Sequence, residues 1–289
     1  GTHVTGIAAG TGNTSDLRGM APDSEIVLVS GFRGTYIDGI QYLKNYAESV
    51  NKPLVVNMSF GGNLNPHDGS TPQEQEINVL SDEQGLVMVA SAGNEAEKKQ
   101  HAYLEFIGEE SLFLLDRNNN SPAVNQNSQT GLSLSYFDFW GENNGGDSSF
   151  EVAFQVFNTS TGEPQSPTVY SIVVNGNYET TEPIILEDID CTNCTEDVWR
   201  IHLLTEINPL NNRPHFSVSI ETNNDDLDDF LIFQVTANNT VVHSWCKFSE
   251  FYNPFPELYN FIEGDGFYSI LSPANATGVI AVGSYNSTN

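Results

Sequence analysis

Three short, almost unbroken apolar runs constrain this chain more than any other feature. They are Glu25-Ile-Val-Leu-Val-Ser30, Leu54-Val-Val-Asn-Met-Ser59 and Leu86-Val-Met-Val-Ala-Ser91. Runs this short and this apolar suit strands buried on both faces, as in a parallel sheet covered by helices. Between them lie helix patterns. Ile37, Ile40, Leu43, Ala47 and Val50 recur at spacings of three and four, which is one face of a helix. Thr71-Pro-Gln-Glu74 reads as a capping box with Pro at the first helical position, and Gly85 as the stop before the next strand. The first hundred residues are therefore expected to form a βαβ series.

The pattern changes near residue 97. Alternating stretches then dominate: Leu132–Tyr136, Phe150–Phe157, Val169–Val174, Phe216–Ile220 and Phe230–Val235. Turn signals such as Gly145-Gly-Asp147 and Asn175-Gly176 separate them. Short strands with Asn, Gly and Pro turns predict an antiparallel β-sandwich. The first style returns at Gly278-Val-Ile-Ala-Val-Gly283. The expected organisation is an α/β part at 1–97, an inserted β-sandwich at 98–269, and a return to the α/β part at 270–289.

Charge excludes some partners. The chain carries 38 acidic and 10 basic residues, a formal charge of −28. Phosphate binding needs clustered Lys and Arg, so neither nucleic acid nor an anionic membrane surface is an expected partner. No apolar run reaches the roughly 20 residues of a membrane span. Cys191 and Cys194 form a lone CxxC, and Cys246 stands apart. A zinc site would need a second ligand pair, so a local disulfide and free thiols both stay open. The Asn223–Asp229 acidic run reads as a solvated turn, because calcium-ligand spacing is missing. His67, His202, His215 and His243 show no metal spacing and read as structural or exposed.

Five segments, taken in order, resemble the subtilisin-like serine proteases. Gly1-Thr-His-Val-Thr-Gly6 is similar to the helix that follows their catalytic histidine, and Leu17-Arg-Gly-Met-Ala-Pro22 leads into a strand as theirs does. Val56-Asn-Met-Ser-Phe-Gly-Gly62 is similar to their substrate-binding strand. Val89-Ala-Ser-Ala-Gly-Asn-Glu95 is similar to their oxyanion segment. Ser272-Pro-Ala274 with Val279-Ile-Ala-Val-Gly-Ser284 is similar to a late strand. The middle of the chain resembles, more loosely, the jelly-roll inserts of Csp-like members, through His101-Ala-Tyr103 and a strand centred on Trp140.

The resemblance implies a subtilisin-like parallel sheet, incomplete here and interrupted by a jelly-roll-like insert. It implies peptide-bond hydrolysis by a Ser-His-Asp triad, with a protein or peptide as substrate. His3 aligns with the second, non-catalytic histidine of the family motif, and no Gly-Thr-Ser-Met-Ala-like segment occurs. The expectation is an internal piece of a protease domain, inactive alone, that is marginally stable or buries its exposed core face in a homodimer. Asn94 matches the asparagine whose amide stabilises the tetrahedral intermediate; read without the resemblance, it would cap a turn after a strand. Ser59, Phe60 and Gly61 would pair with substrate backbone, and Ser91, Ala92 and Gly93 would line the pocket for the residue before the scissile bond. Calcium is placed only at the loop Thr11–Leu17, through Asn13 and neighbouring carbonyls, and no other metal or cofactor is expected. The family setting implies secretion or the cell envelope. A non-catalytic relative whose β module binds a protein or glycan is the alternative.

Overall fold

An apolar run becomes a strand only where a neighbour completes its ladder. The computed structural model describes residues 1–12, 18–30, 35–117, 133–143, 149–158, 163–164, 170–180, 182, 184–187, 198–222, 229–253, 255–257 and 260–284. They fall into two compact units. The first comprises Gly1–Gly61, Pro72–Ala92 and Pro273–Asn289, and the second Gly62–Thr71 and Gly93–Ser272.

The first unit holds α1 (Thr2–Ala9), α2 (Tyr36–Ser49), β1 (Leu54–Met58), α3 (Pro72–Ser81), β2 (Leu86–Ser91) and a last strand at Ile280–Val282. These strands form a parallel sheet with β2 in the middle, in register from Leu54 beside Leu86 to Met58 beside Ala90, and with Ile280 beside Val89. Successive side chains of a strand point to opposite faces. Val56, Met58, Met88 and Ala90 point to one face and are buried with Ile37 and Ile40 of α2 and Ile77 and Leu80 of α3. Val55, Val87, Ile280 and Val282 point to the other face and are exposed. The sequence placed these strands between two layers of cover; among the described residues only one face has it. α2 opens on a capping box, with Asp38 accepting from the Thr35 amide at 2.9 Å. Pro72 opens α3, as its fixed φ favours.

Glu25–Ser30 corrects the sequence reading. It forms no strand, and Ile26 and Leu28 are exposed. No described strand lies beside it, so its backbone has no ladder to join. Side chains tether it instead: Tyr46 donates to Glu25 at 2.6 Å, and Lys52 pairs with the same carboxylate.

The second unit holds β3 (His101–Glu105), β4 (Glu109–Arg117), β5 (Ser133–Gly141), β6 (Phe150–Asn158), β7 (Glu163–Pro164), β8 (Tyr170–Val174), β9 (Tyr178–Glu179), β10 (Ile184–Glu187), β11 (Val198–Ile207), β12 (Pro214–Thr222), β13 (Asp229–Asn238), β14 (Val241–Lys247) and β15 (Glu250–Tyr252), which makes the last strand of the first unit β16. One antiparallel sheet runs β10-β11-β12-β5-β14-β3, with β9 on β11. The other runs β15-β4-β13-β6-β7, with β8 on β6. Their inner faces share one core. Phe233 of β13 meets Phe137 and Phe139 of β5 at ring distances of 4.8 and 5.4 Å. All three are fully buried, so the two sheets form a sandwich. Cys246 lies in this core as a free thiol, and burial pushes its pKa well up. Cys191, Cys194 and most of the Asn223–Asp229 run lie outside the described residues.

Asp116 of β4 is the exception in that core. It is buried, and its Oδ1 has no hydrogen-bond partner among the described residues. Burial first, then the charge of Glu250, pushes its carboxyl well above the usual range. The group folds as a neutral acid. The unfolded chain ionises it above about pH 4. Its contribution to stability is therefore fully present below that pH and is lost as pH rises towards the folded-state value. Asp116→Asn should gain stability relative to wild type as pH rises. Urea midpoints at about pH 5 and about pH 8 check this, and an unchanged pH dependence would contradict the neutral acid.

Candidate active site

Neighbouring parallel strands in register bring their carboxyl ends to one edge, where open α/β sheets bind ligands. Met58 ends β1 beside Ala90 of β2. Ser59, Phe60 and Gly61 thus leave the sheet next to Ser91 and Ala92. The Ala92 amide continues the ladder, donating to the Val282 carbonyl at 2.9 Å. Ser59 Oγ accepts from Asn57 Nδ2 at 2.9 Å, and the Phe60 ring lies 5.5 Å from that of Tyr36. Ser59, Phe60 and Gly61 are exposed, while Ser91, Ala92 and Gly93 are half-buried.

The chain turns at Gly93, with φ +106°. A Cβ there would sit 2.5 Å from Leu271 Cγ. Glycine is required twice over, by the backbone angle and by the leucine against its Cα. Ser272, next in the chain to that leucine, exchanges two backbone hydrogen bonds of 3.0 Å with Gly62. Asn94 follows Gly93 and is exposed. Among the described residues its side-chain amide makes no hydrogen bond, so it caps no turn. The turn after it closes through the Lys98 amide on the Glu95 carbonyl at 3.0 Å and a Lys98–Glu95 ion pair at 2.7 Å. An amide left free in this way can donate to a ligand.

Sequence spacing gave no sign of two polar clusters in the second unit. In one, His215 places both ring nitrogens on carboxylates, Asp138 at 2.6 Å and Glu206 at 3.0 Å. Burial opposes its charge, but the Asp138 charge and the bonds to both carboxylates outweigh burial and raise its pKa. Trp140 stacks on the ring at 3.8 Å and donates to Asp138 at 2.7 Å. Arg213 donates to the Gly141 carbonyl at 2.8 Å and pairs with Asp68 at 3.2 Å. In the other, His101 joins Asp265 and His243. Among the described residues, no group of three or more His, Cys, Asp or Glu side chains could hold a metal ion. Asn13 and most of the Thr11–Leu17 loop lie outside the described residues. No described helix is long and apolar enough to cross a membrane.

The first unit is thus an α/β fold with helices on one face of a parallel sheet, and the second an antiparallel sandwich. Residues 1–179 match the sequence model of the subtilase family, Peptidase S8, and the chain belongs to that family. Subtilisin DY of Bacillus licheniformis is 37% identical over 101 residues, covering 32% of this chain and 33% of that protein. Pyrolysin of Pyrococcus furiosus is 34% identical over 89 residues, covering 28% of this chain and 6% of that protein. The solved structure of the Clostridium perfringens CspB protease superposes with a TM-score of 0.63 at 22% identity, covering 98% of this chain and 54% of that one. That likeness establishes the shared fold. The alignments therefore span a third or less of the two curated relatives and about half of the CspB chain.

Gly93→Ala is expected to lower stability by about 1–3 kcal/mol in urea unfolding, through the positive φ and the contact with Leu271. Adding Leu271→Ala should recover none of the part that comes from φ. A neutral Gly93→Ala would show that neither constraint holds.

Proposed function

We propose that this chain supplies the oxyanion donor and part of the substrate cleft of a subtilisin-like serine endopeptidase. Its substrate is a protein or peptide. One observation carries the reading: Asn94, whose amide has no hydrogen-bond partner among the described residues, follows the carboxyl end of β2 in the chain. Membership of the subtilase family supports it. In the reaction a serine hydroxyl attacks the scissile carbonyl while a histidine takes its proton. Negative charge gathers on the carbonyl oxygen. Asn94 Nδ2–H donates to that oxygen, more strongly in the tetrahedral intermediate than in the substrate. Ser59, Phe60 and Gly61 offer backbone groups to an extended peptide as an added strand. Ser91, Ala92 and Gly93 wall the pocket for the residue before the scissile bond, their small side chains leaving room for it.

This reading assigns the serine, histidine and aspartate to residues outside these 289. It takes 98–269 as the insertion, with the 62–71 segment grouped beside it by packing. It places the protein outside the cytoplasm, as the family setting suggests. A calcium ion at the Thr11–Leu17 loop belongs to the same reading: its side-chain and carbonyl oxygens are of the kind a hard cation takes.

The test is Asn94→Leu in the protein that carries this chain together with its triad, assayed on a chromogenic peptide. The expected result is a kcat lower by about 10²–10³-fold with KM little changed, the size known for loss of this donor in subtilisin itself. Equal kcat values would overturn the role of Asn94. No turnover in the wild-type protein would favour a binding protein built on a protease fold.

A further inference from the structure

Three imidazoles that proteolysis does not use surround one tryptophan. Trp245 of β14 stacks against His67 at 4.4 Å and 5°, and against His243 at 5.5 Å and 14°. His101 tilts against it at 5.0 Å. The three come from separate stretches: His67 from the 62–71 segment, His101 from the start of β3 and His243 from β14. His101 Nδ1 lies 2.7 Å from Asp265 Oδ1, and His101 Nε2 lies 3.0 Å from His243 Nδ1. A carboxylate accepts, so His101 carries its proton on Nδ1 and uses Nε2 as an acceptor. His243 must then donate from Nδ1, which fixes both tautomers.

That line tolerates few protons. Protonating His101 forces His243 to give up its Nδ1 proton and accept, and protonating both rings sets N–H against N–H, donor facing donor. Charging all three rings would crowd cations around one indole. Asp265 is the carboxylate that touches the group. Asp138 acts on His67 from β5, and Arg213 acts on His243 with the wrong sign. His67 Nε2 donates to the Asn63 carbonyl at 3.1 Å, and the backbone of Asn63 and of Ile270 favours its charge less than burial opposes it, while the rings of Tyr103 and Tyr268 meet His243 edge-on at 5.3 and 4.7 Å.

We propose that His67, His101 and His243 form an acid-operated latch: neutral, they hold the 62–71 segment, β3 and the 264–272 segment around Trp245, and protonated they release them. All three rings have pKa values lowered by burial above all, and His243, also repelled by His101, Arg213 and His67, falls to about 3. Folded values below the ordinary one mean that the stability from the cluster is fully present above about pH 6.5 and is lost as pH falls through the folded values. The latch bears on a strained element. Tyr268 has φ +50°, and its carbonyl accepts the Trp245 indole N–H at 3.1 Å. A bulky residue persists in that region only where its surroundings hold it there. A few residues on, Ser272 pairs with Gly62, which follows the proposed substrate strand. Control of substrate binding by the latch rests on the proposed protease function; the latch itself does not.

The test is a side-chain ¹H–¹⁵N titration of the histidines and tryptophans of the full chain, from about pH 7 to about pH 2.5. At the upper end, His101 and His243 should both show Nδ1–H tautomers. All three rings should titrate below the ordinary histidine value, together with a shift of the Trp245 indole N–H. Far-UV circular dichroism should keep its β signal through that shift. His243→Phe keeps the stacking and removes the N–H that faces His101 Nε2, so the titration of His101 and the indole shift that accompanies it should move to higher pH by about half a unit or more. Any of the three titrating at or above the ordinary value, an indole that stays fixed while they titrate, or β signal lost in the same step would each overturn the latch. The wild-type titration decides the matter even where His243→Phe does not fold, and it needs no protease activity.

Discussion

The parallel pairing of β1 with β2 is what the candidate site hangs on. Register fixes which residues end the two strands together, and Met58 beside Ala90 is where both stop. A slip of β2 by one residue would turn Met88 out of the core and Val87 into it. α2 and α3 prevent that slip by burying one face of the sheet, with Ile77 fully enclosed. The same register sends Ser59 and Ser91 out of the sheet side by side. A free amide at Asn94 has value only because the backbone before it is anchored this firmly.

The second unit solves a different problem. Its core is rich in aromatic rings, and histidines gather with polar partners into two networks. His215 sits between two carboxylates and is favoured as a cation. His101, His243 and His67 share few anions and are favoured neutral. Two histidine clusters in one sandwich thus have opposite protonation preferences, set by the number of carboxylates each ring meets.

Much of this was legible in the sequence, and the failures have physical causes. Apolar periodicity located α2, and short apolar runs located β1, β2 and β16. Alternation located β5, β6, β8, β12 and β13. It did not locate β14, whose Val242 to Cys246 are buried on both faces and so do not alternate. Glu25–Ser30 failed the other way, because a run can be apolar without having a strand to pair with. Asn94 was singled out by the resemblance of Val89–Glu95 to an oxyanion segment, with Gly93 and the preceding apolar run as local support. The line Asp265–His101–His243 joins residues 164 and 142 positions apart. No window along the chain could hold them, and the spacing of histidines alone said nothing of it.

The order of the two units along the chain has a consequence for how the protein is made. β16 belongs to the first unit, yet it is synthesised after the whole of the second. Until then β2 has β1 on one side and an open edge on the other. Such edges pair with whatever strand is near. The ribosome thus releases the sandwich strands while the parallel sheet still waits for β16. A formal charge of −28 opposes the association of one copy of the chain with another. In this chain the cost of a long interruption is paid in time, before the last ladder closes.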